Sequence, residues 1–316
     1  MIDPSIAIII PVYNVEKYLE ETLLSVEKQT SMPNEIIIID DGSTDNSFNI
    51  LKKFKKLPNL KIIRTHNQGL GPARNLGRSI SNSEYIYFLD SDDLIKKDLI
   101  FTIRSVINDF NKPDMILFSG DTFSEFKYSS KKINLKFTLT GSFKQDSGLI
   151  SQLIKRKEAL PQAGRYVTKS SLWSENKINY PAAIFEDEAV FFPLLALSKN
   201  TIVLSDIYFM YRKDRLGSIT NSLLEARHAS SYFHVISIFI DFMDKYPDLI
   251  KKDKFAWRFR LGRIGLNYIS MCIKTKSPIK WRTIYVLIFK IKSFVYPYKL
   301  LWRIIKSFKL NYLLFF

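Results

Sequence analysis

Three aspartates stand within four consecutive positions at the end of an apolar, β-rich run, in the segment YIYFLDSDD (85–93). Like charges at this spacing repel one another, and an ionised carboxylate in a partly dehydrated cleft is costly unless something positive joins it. Two interpretations follow. The acids form a solvated turn that also starts a helix, since Asp and Ser are ordinary turn and cap residues, or they bind a cation.

Three other polar clusters also follow apolar runs in the first part of the chain: PVYN (11–14), DDGSTD (40–45) and HNQGLGPARN (66–75). Runs such as IAIII (6–10) and EIIII (35–39) are typical of buried parallel strands, and helical patterns separate them. Strands that alternate with helices predict an α/β fold with a mainly parallel sheet, in which ligands bind at the carboxyl ends of the strands. All four clusters are therefore expected at one edge of the sheet, which favours the cation-binding interpretation of DSDD.

The pattern changes further along the chain. Between residues 96 and 180 it is less regular, and TIVLSDIYFMYRKD (201–214) predicts two short strands joined by a turn. After Thr220 the periodicity is helical to the end. We therefore predict an α/β domain over residues 1–220, followed by a helical region over residues 221–316.

Composition limits the class of protein. The chain has 316 residues, of which 46% are hydrophobic and 25% are charged, as in a folded protein. The single cysteine, Cys272, excludes an intramolecular disulfide framework and a cysteine-rich metal site. The amino terminus lacks a basic segment and is expected to be a first strand rather than a signal peptide.

The net charge of +16 is concentrated near the carboxyl terminus, because residues 251–316 contain 16 Lys and Arg but only one acid, Asp253. The segment PYKLLWRIIKSFKL (297–310) is amphipathic, and its uncharged runs are too short to span a bilayer. We expect it to lie on an anionic membrane surface. A basic helical cap that packs on the α/β domain or on a second copy is the alternative. Nucleic acid is not an expected partner, since no recognised binding module accompanies the charge.

Six segments together resemble the family 2 glycosyltransferases, which have the GT-A fold. In the family's order they read PVYNVEKYLEETLLSV, EIIIIDDGSTDNS, NQGLGPARNLG, YIYFLDSDD, FEDEAVFF and YRKDRLGSIT. The resemblance implies an inverting, metal-dependent enzyme that moves a sugar from a nucleotide-diphosphate donor, with a UDP-sugar favoured, to a glycan or lipid-linked acceptor. It also implies capsule, O-antigen or other surface polysaccharide assembly, by a peripheral protein on the cytoplasmic face of the membrane.

By this resemblance DSDD matches the family's D-x-D motif, which binds the donor and a metal ion. Asp90 and Asp92 are the motif acids on either side of Ser91, and Asp92 is assigned as a direct ligand of Mg²⁺ or Mn²⁺. Asp93 either supplements Asp92 or caps the following helix. The metal would act as a Lewis acid and a template for the departing diphosphate.

The resemblance places the nucleoside against residues that follow the first two strands. We assign the contact with the base to Asp41, with Asp40 as the second candidate, because a carboxylate can accept from a base N–H group. Pro11 and Tyr13 resemble the residues that line the nucleoside, although Tyr13 as plain core is the alternative. Residues 43–45 are also suited to capping a helix.

The same resemblance assigns roles to arginines and to a second acidic cluster. Arg74 approaches the donor diphosphate or orders the acidic site, with a surface salt bridge as the alternative. Arg212 and Arg215 are candidates to meet the diphosphate, because guanidinium groups match phosphate oxygens. In FEDE, Asp187 is assigned as the general base and Glu186 as a neighbour that orients the acceptor, unless these acids only form the first turn of a helix.

Two other functions remain alternatives. A nucleotidyltransferase also uses a parallel sheet and an acidic metal site, but it should carry a glycine-rich, basic first loop, which PVYNVEKYLEET lacks. A catalytically silent membrane-binding module is disfavoured by the intact DSD and ED motifs. The sequence leaves the donor sugar, the linkage and any homo-oligomer open.

Overall fold

The computed structural model describes residues 3–124, 133–214 and 226–280, together with residues 283, 285 and 287. Its backbone contacts divide the chain into two compact units. The first comprises Met1–Ala182 and Val190–Leu216, and the second comprises Ala183–Ala189 and Gly217–Phe316. The catalytic and membrane-associating domains proposed for residues 1–220 and 221–316 stay a prediction.

A mixed sheet, nine-stranded within the described residues, forms the centre of the first unit. Its strands are β1 (Ile6–Val12), β2 (Glu35–Asp40), β3 (Leu60–Arg64), β4 (Tyr85–Phe88), β5 (Leu94–Ile95), β6 (Met115–Phe123), β7 (Gly141–Lys144), β8 (Tyr166–Lys169) and β9 (Asn200–Arg212). Their order is β3-β2-β1-β4-β8-β6-β9-β5, and β7 also pairs with β9. Strands β1 to β4 are mutually parallel, whereas β8 runs antiparallel to both β4 and β6.

Helices follow most of the strands of the first unit. They are α1 (Leu19–Glu27), α2 (Ser47–Lys53), α3 (Leu70–Ile80), α4 (Leu99–Asp109), α5 (Leu149–Arg156), α6 (Ser170–Ser174) and α7 (Glu186–Leu197), whose first residues belong to the second unit. The second unit also contains α8 (Ala226–Lys245), α9 (Pro247–Ile250) and α10 (Lys254–Thr275).

The apolar runs explain the parallel half of the sheet. Every residue of β1 and β2 is buried, and their isoleucines pack well on a pleated sheet. Helix α1 buries Leu19, Leu23 and Val26, which recur at helical spacing. Because β1 to β4 are parallel, PVYN, DDGSTD, HNQGLGPARN and DSDD all follow strands that end at the same edge, as the sequence predicts.

Two expectations from the sequence are wrong. The first is the pair of short strands predicted over residues 201–214, which form the single 13-residue strand β9. Strand β9 pairs along its length with β6, and the register shifts between Phe118 and Gly120, where β9 has more residues than β6. The second is the role of Asp93 as a helix cap, because the two-residue strand β5 separates DSDD from the next helix. Helix α4 begins only at Leu99, so Asp93 does not cap it.

Helices α8 and α10 pack together through aromatic side chains in the second unit. The rings of Phe242 and Trp257 are stacked with centroids 5.1 Å apart, and Phe239 lies 5.3 Å from Trp257. The helical periodicity predicted after Thr220 is confirmed for α8 to α10. The amphipathic segment 297–310 lies outside the described residues. No helix in the described part of the chain is both long enough and apolar enough to cross a bilayer.

Glu35 ties the amino-terminal end of β2 to its neighbours. Its carboxylate accepts hydrogen bonds from Ser83 Oγ at 2.6 Å, Ser81 Oγ at 2.9 Å and the Asn82 amide at 2.9 Å, and Lys61 Nζ lies 2.8 Å away. Burial alone would raise the pKa of Glu35, but the Lys61 ammonium and the other donors outweigh it and lower the pKa to about 2.

Glu35→Gln should therefore destabilise the protein near neutral pH, by on the order of 2 kcal/mol. The stabilisation comes from the depressed pKa, so it is present above pH 4.5 and is lost as the pH falls from 4.5 towards 2. Denaturant unfolding of both proteins across this range measures the difference. Glu84→Gln is the control, because Glu84 is more exposed and its pair with Lys112 lies at the surface. If the difference in free energy of unfolding between wild type and Glu35→Gln did not change with pH, this role of Glu35 would be contradicted.

Candidate active site

The loops after β1 and β2 are tied together by side chains. Asn14 Oδ1 accepts hydrogen bonds from the Thr44 and Asp45 amides at 2.8 and 3.3 Å, and the Asn14 amide donates to Ser43 Oγ at 3.2 Å. Asn14 has a left-handed backbone with φ of 51°, which Asn tolerates better than most residues. These contacts leave the Tyr13 side chain 45% exposed at the end of β1, so it is not core. Pro11 is buried within the strand.

Residues 43–45 also support helix α2, as the sequence allows. Asp45 Oδ1 accepts a hydrogen bond of 2.9 Å from the Ser47 amide in the first turn, and Asp45 Oδ2 accepts one of 2.9 Å from the Glu16 amide. Glu16 in turn accepts from the Asn46 amide at 2.8 Å. The loop after β1 and the start of α2 therefore hold each other in place.

Asp41 fixes the loop after β3. Its buried carboxylate accepts hydrogen bonds from the Gln68 amide at 2.9 Å, the Gly69 amide at 2.8 Å and the Thr65 hydroxyl at 3.2 Å. A carboxylate has about four lone-pair sites, so these donors leave about one for any further partner. The assignment of the nucleobase to Asp41 stays a prediction, and a base would share this carboxylate with the loop.

Asp40 is fully buried, and its negative charge is balanced by Arg64 on the neighbouring strand β3. Arg64 Nε lies 3.1 Å from Asp40 Oδ2, and the Ser43 amide donates to Asp40 Oδ1 at 3.0 Å. Arg64 also donates to the Ser43 carbonyl oxygen at 2.9 Å. Asp40 thus supports the turn, while Asp41 lies beside the exposed residues His66, Asn67 and Gln68.

Gly42 lets these two loops approach each other. It has φ of +76°, and a Cβ at this position would lie 2.9 Å from the Asn67 amide nitrogen and 3.2 Å from the Thr65 carbonyl oxygen. Gly42→Ala should therefore cost about 2 kcal/mol of stability, through backbone strain and displacement of the loop after β3.

Gly69→Ala is the matched control, because Gly69 also has positive φ, of +101°, but a Cβ there would meet nothing within 4 Å. Chemical denaturation should show a smaller loss of stability for Gly69→Ala than for Gly42→Ala. Equal losses would mean that strain alone, and not loop contact, makes Gly42 necessary.

The acidic turn after β4 is bound to helix α3 by an ion pair. Arg74 Nη2 lies 2.6 Å from Asp90 Oδ1, and the Arg74 side chain is 1% exposed whereas that of Asp90 is 25% exposed. The Arg74 guanidinium also lies 4.9 Å from the centre of the Tyr180 ring. Because Arg74 is buried, this pair is not a surface salt bridge. The two roles predicted for Arg74, contact with the diphosphate and ordering of the acidic site, stay predictions.

Tyr180 keeps α3 in place. Its backbone amide donates to Asn75 Oδ1 at 2.9 Å, and Asn75 Nδ2 donates to the Tyr180 carbonyl oxygen at 2.8 Å. A Cβ at Gly71 would lie 2.2 Å from the Pro181 carbonyl oxygen, so α3 and this segment are in close contact. Arg74 is therefore held rigidly and presents its charge to Asp90.

The three aspartates of DSDD differ in exposure. Asp92 is half-buried, and Asp93 is fully buried with its Oδ1 accepting a hydrogen bond of 2.8 Å from the Arg212 amide. Arg212 Nε donates to the Asp92 carbonyl oxygen at 2.8 Å, and Thr22 Oγ1 donates to the buried Ser91 carbonyl oxygen at 3.0 Å. The turn is thus held from β9 and from α1, and the carboxylates of Asp90 and Asp92 are its more exposed groups.

Strand β4 brings a protonated tyrosine close to this turn. Burial, followed by the charges of Asp93 and Asp90, raises the pKa of Tyr87 well above its ordinary value. The hydroxyl therefore stays protonated at neutral pH and donates to the Gly164 carbonyl oxygen at 3.0 Å. The acidic charge concentrated here is typical of functional sites.

The donor set of the turn fits a divalent metal that is shared with a ligand. No group of three His, Cys, Asp or Glu side chains that could hold a metal ion occurs in the described part of the chain. Mg²⁺ is commonly bound through one or two carboxylates, with phosphates and water at the other positions. Asp92 and Asp90 fit this description, whereas the burial of Asp93 and its contact with β9 suit a supporting role.

The FEDE segment lies in the second unit and is fixed there. Phe185 has φ of 68°, which is strained for an aromatic residue, and its ring stacks on Tyr232 with centroids 4.3 Å apart. Glu188 pairs with the guanidinium of Arg260 through both carboxylate oxygens. Glu186 and Asp187, in the first turn of α7, are buried and half-buried respectively. The helix-turn interpretation is therefore correct in structure, and the role of Asp187 as a base stays a prediction.

Sequence reasoning placed the acidic clusters but missed their partners. Asp40, Asp41, Arg74, Asp90 and the rest of DSDD lie at one edge of the sheet. Arg212 joins them there, although its guanidinium is buried and bonded within the protein. Its contact with a diphosphate stays a prediction, as does that of Arg215, which lies outside the described residues. Asn14 and Asn75 lie in two of the predicted clusters but were given no role, and the sequence did not single out Glu21, Arg64 and Tyr180.

Solved structures define the class to which this fold belongs. The crystal structure of Staphylococcus aureus TarS 1-349 in complex with UDP-GlcNAc aligns with a TM-score of 0.62, covering 90% of this chain and 84% of that one at 19% identity. The complex of the same protein with UDP gives a TM-score of 0.60. The protein therefore has the GT-A fold, as predicted.

Sequence relatives define the family. Residues 7–151 match the model of glycosyl transferase family 2. Glycosyltransferase GlyG of Streptococcus pneumoniae is 29% identical over 247 residues, which is 73% of this chain and 78% of GlyG. The poly(ribitol-phosphate) beta-N-acetylglucosaminyltransferase TarS of Staphylococcus aureus is 25% identical over 285 residues, but this chain spans only 47% of its length. The family match covers residues 7–151, and together with these relatives it supports a glycosyltransferase.

Proposed function

We propose that this glycosyltransferase is an inverting, metal-dependent enzyme that uses a UDP-sugar as its donor. The observation that carries the proposal is the acidic turn after β4, where Arg74 fixes Asp90 at 2.6 Å and Asp92 remains half-buried. Asp92 and Asp90 would hold Mn²⁺ or Mg²⁺ together with the donor diphosphate. The related TarS crystal structures are complexes with UDP-GlcNAc and with UDP, which supports a uridine nucleotide in the donor.

In the proposed reaction the acceptor hydroxyl attacks the anomeric carbon of the donor sugar. The bond between that carbon and the diphosphate oxygen breaks, and the new glycosidic bond forms on the opposite face, so the configuration inverts. Asp187 takes the hydroxyl proton, and Glu186 orients the acceptor. When bound, the metal supplies Lewis-acid stabilisation of the charge that grows on the diphosphate. Arg74 keeps Asp90 in position throughout.

The acceptor is proposed to be a bacterial surface polysaccharide or its lipid-linked precursor. This rests on the names of relatives. TarS of Staphylococcus aureus and a Bacillus spizizenii protein, 34% identical over 219 residues, are both poly(ribitol-phosphate) glycosyltransferases. The latter match covers 66% of this chain but only 32% of the relative.

A donor screen tests the proposal. Thermal unfolding is measured with a panel of nucleotide sugars, each with Mn²⁺ and with EDTA, because a ligand that binds only the folded state raises the apparent stability. One UDP-sugar should raise the melting temperature by several degrees in Mn²⁺ and by much less in EDTA. Stabilisation by a GDP- or dTDP-sugar alone would contradict the choice of base, and equal stabilisation in EDTA would contradict the metal.

We also propose that the protein associates peripherally with the cytoplasmic face of the membrane. Support comes from the start of α10, where Phe255 is 70% exposed and its ring lies 6.3 Å from that of Phe259. Lys251, Lys252 and Lys254 beside it are exposed, whereas the intervening Asp253 is buried. An exposed aromatic ring among cations suits an anionic lipid surface.

Co-sedimentation with vesicles containing anionic lipid tests this surface in the full chain. Changing the three lysines to Gln and Phe255 to Ser should weaken binding at least ~10-fold, since each basic residue near such a surface contributes about 1 kcal/mol. The control removes as much charge and one exposed ring elsewhere, through Lys53, Lys55 and Lys56 to Gln with Phe101→Ser. Equal weakening in both proteins would show binding by net charge alone, and unchanged binding of the first would contradict the proposed surface.

A further inference from the structure

We infer that Glu21, on helix α1, is a positioning residue for the acidic turn and acts through Arg212. Glu21 Oε2 lies 2.6 Å from Arg212 Nη2, although the two residues are 191 positions apart in the sequence. No motif in the sequence singles out Glu21. The ion pair joins helix α1 to the last residue of β9.

Arg212 holds the acidic turn with two separate groups. Its backbone amide donates to Asp93 Oδ1 at 2.8 Å, and its side-chain Nε donates to the Asp92 carbonyl oxygen at 2.8 Å. The first contact fixes the buried carboxylate, and the second fixes the backbone that carries the Asp92 side chain. The direction in which Asp92 presents its carboxylate therefore depends on where the Arg212 guanidinium lies.

The guanidinium lies between two aromatic rings. Its central carbon is 5.0 Å from the centre of the Tyr18 ring and 4.5 Å from that of Phe123, and the Arg212 side chain is 2% exposed. A buried guanidinium does not lose its proton, so it requires a nearby negative charge. The side chain of Glu21 is 57% exposed, so this carboxylate meets Arg212 from the solvent side.

Removal of the Glu21 charge would take away the anion that Arg212 meets from the solvent side, while the acids of the turn remain nearby. Coulomb attraction would then draw the guanidinium towards the Asp92 and Asp93 carboxylates. Such a shift would partly neutralise the charge that we propose for metal binding and would break the contact with the Asp92 carbonyl oxygen. Glu21 thus keeps the Arg212 guanidinium in the place from which its Nε supports the Asp92 backbone.

The experiment compares Glu21→Gln with Glu20→Gln, the neighbouring exposed acid on the same helix. Hydrogen exchange is followed by mass spectrometry in peptides that cover residues 88–98. We expect exchange in these peptides to be at least ~5-fold faster in Glu21→Gln than in the wild type, with no change in Glu20→Gln, and Glu21→Asp should recover part of the protection. Unchanged exchange in Glu21→Gln overturns the inference, whatever ligand the enzyme uses.

A second measurement separates positioning from loss of stability. The affinity for UDP is measured by calorimetry with Mn²⁺ and with EDTA. Glu21→Gln should weaken binding at least ~10-fold in Mn²⁺ and leave binding in EDTA within about 2-fold, whereas a merely structural role would weaken both. This arm rests on the proposed function: equal weakening in both conditions overturns the inference, while a wild-type affinity that Mn²⁺ does not change overturns the proposed metal.

Discussion

Asp92→Asn is expected to abolish glycosyl transfer, with a loss in kcat/KM of at least ~10³-fold, and to remove the metal-dependent part of donor binding. The substitution keeps the shape of the side chain but removes the negative charge that a hard cation requires. Asp92 is half-buried, and its carbonyl oxygen accepts a hydrogen bond from Arg212 Nε, which holds the backbone of the turn. The turn should therefore keep its structure in the variant.

Asp109→Asn is the control for this prediction, because it removes one acid from the exposed end of α4. Steady-state kinetics and calorimetry with and without Mn²⁺ are measured on both variants, and melting temperatures check the fold. Full transfer activity in Asp92→Asn would contradict the assignment of Asp92 as a metal ligand. A collapse in melting temperature would instead show that Asp92 is needed for the fold.

Asp187→Asn is expected to lower kcat by about 10²- to 10⁴-fold while the affinity for the donor stays within a few-fold of wild type. A general base acts in the transition state, so its loss affects kcat rather than ground-state binding of the donor. The first turn of α7 is fixed independently by the pair of Glu188 with Arg260 and by the stacking of Phe185 on Tyr232. The variant should therefore fold normally.

Donor affinity is the discriminating measurement for Asp187. If Asp187→Asn loses donor affinity as strongly as it loses kcat, the residue binds the donor and is not the base. Asp206→Asn serves as the control, since Asp206 is an exposed acid within β9. Activity of the Asp206 variant should equal that of the wild type.

The sequence predicts the parallel half of the fold well for a physical reason. Strands β1 and β2 are buried on both faces, so their isoleucine runs are continuous and distinct from the helices beside them. Strand β8 has four residues, YVTK, and carries no such run. The polar residues in β9 resemble a turn, but its pairing with strands that are remote in the sequence, β6 along its length and β5 and β7 at its ends, keeps it as one strand.

In the candidate site, too, some features follow from local sequence patterns and others depend on contacts between remote segments. Parallel topology alone places DDGSTD and DSDD at one edge of the sheet, so their convergence follows from local patterns. Their partners do not follow from such patterns, because contacts such as Arg74 with Asp90 and Glu21 with Arg212 depend on packing between separate elements. Arg212 illustrates the limit: its type suggests phosphate binding, whereas the fold buries it beneath the acidic turn.

The phosphorus-containing products of the reaction test most directly whether the protein transfers a sugar from a UDP donor in a metal-dependent reaction. The purified protein is incubated with Mn²⁺ and the UDP-sugar selected by the donor screen, and ³¹P NMR follows the phosphates, since even slow transfer to water reports the bond that breaks. We expect the two coupled signals of UDP with the wild-type protein, and we expect neither signal in EDTA or with Asp92→Asn. Release of UMP and sugar 1-phosphate in place of UDP would place the cleavage between the two phosphates and would contradict a glycosyltransferase reaction at this site.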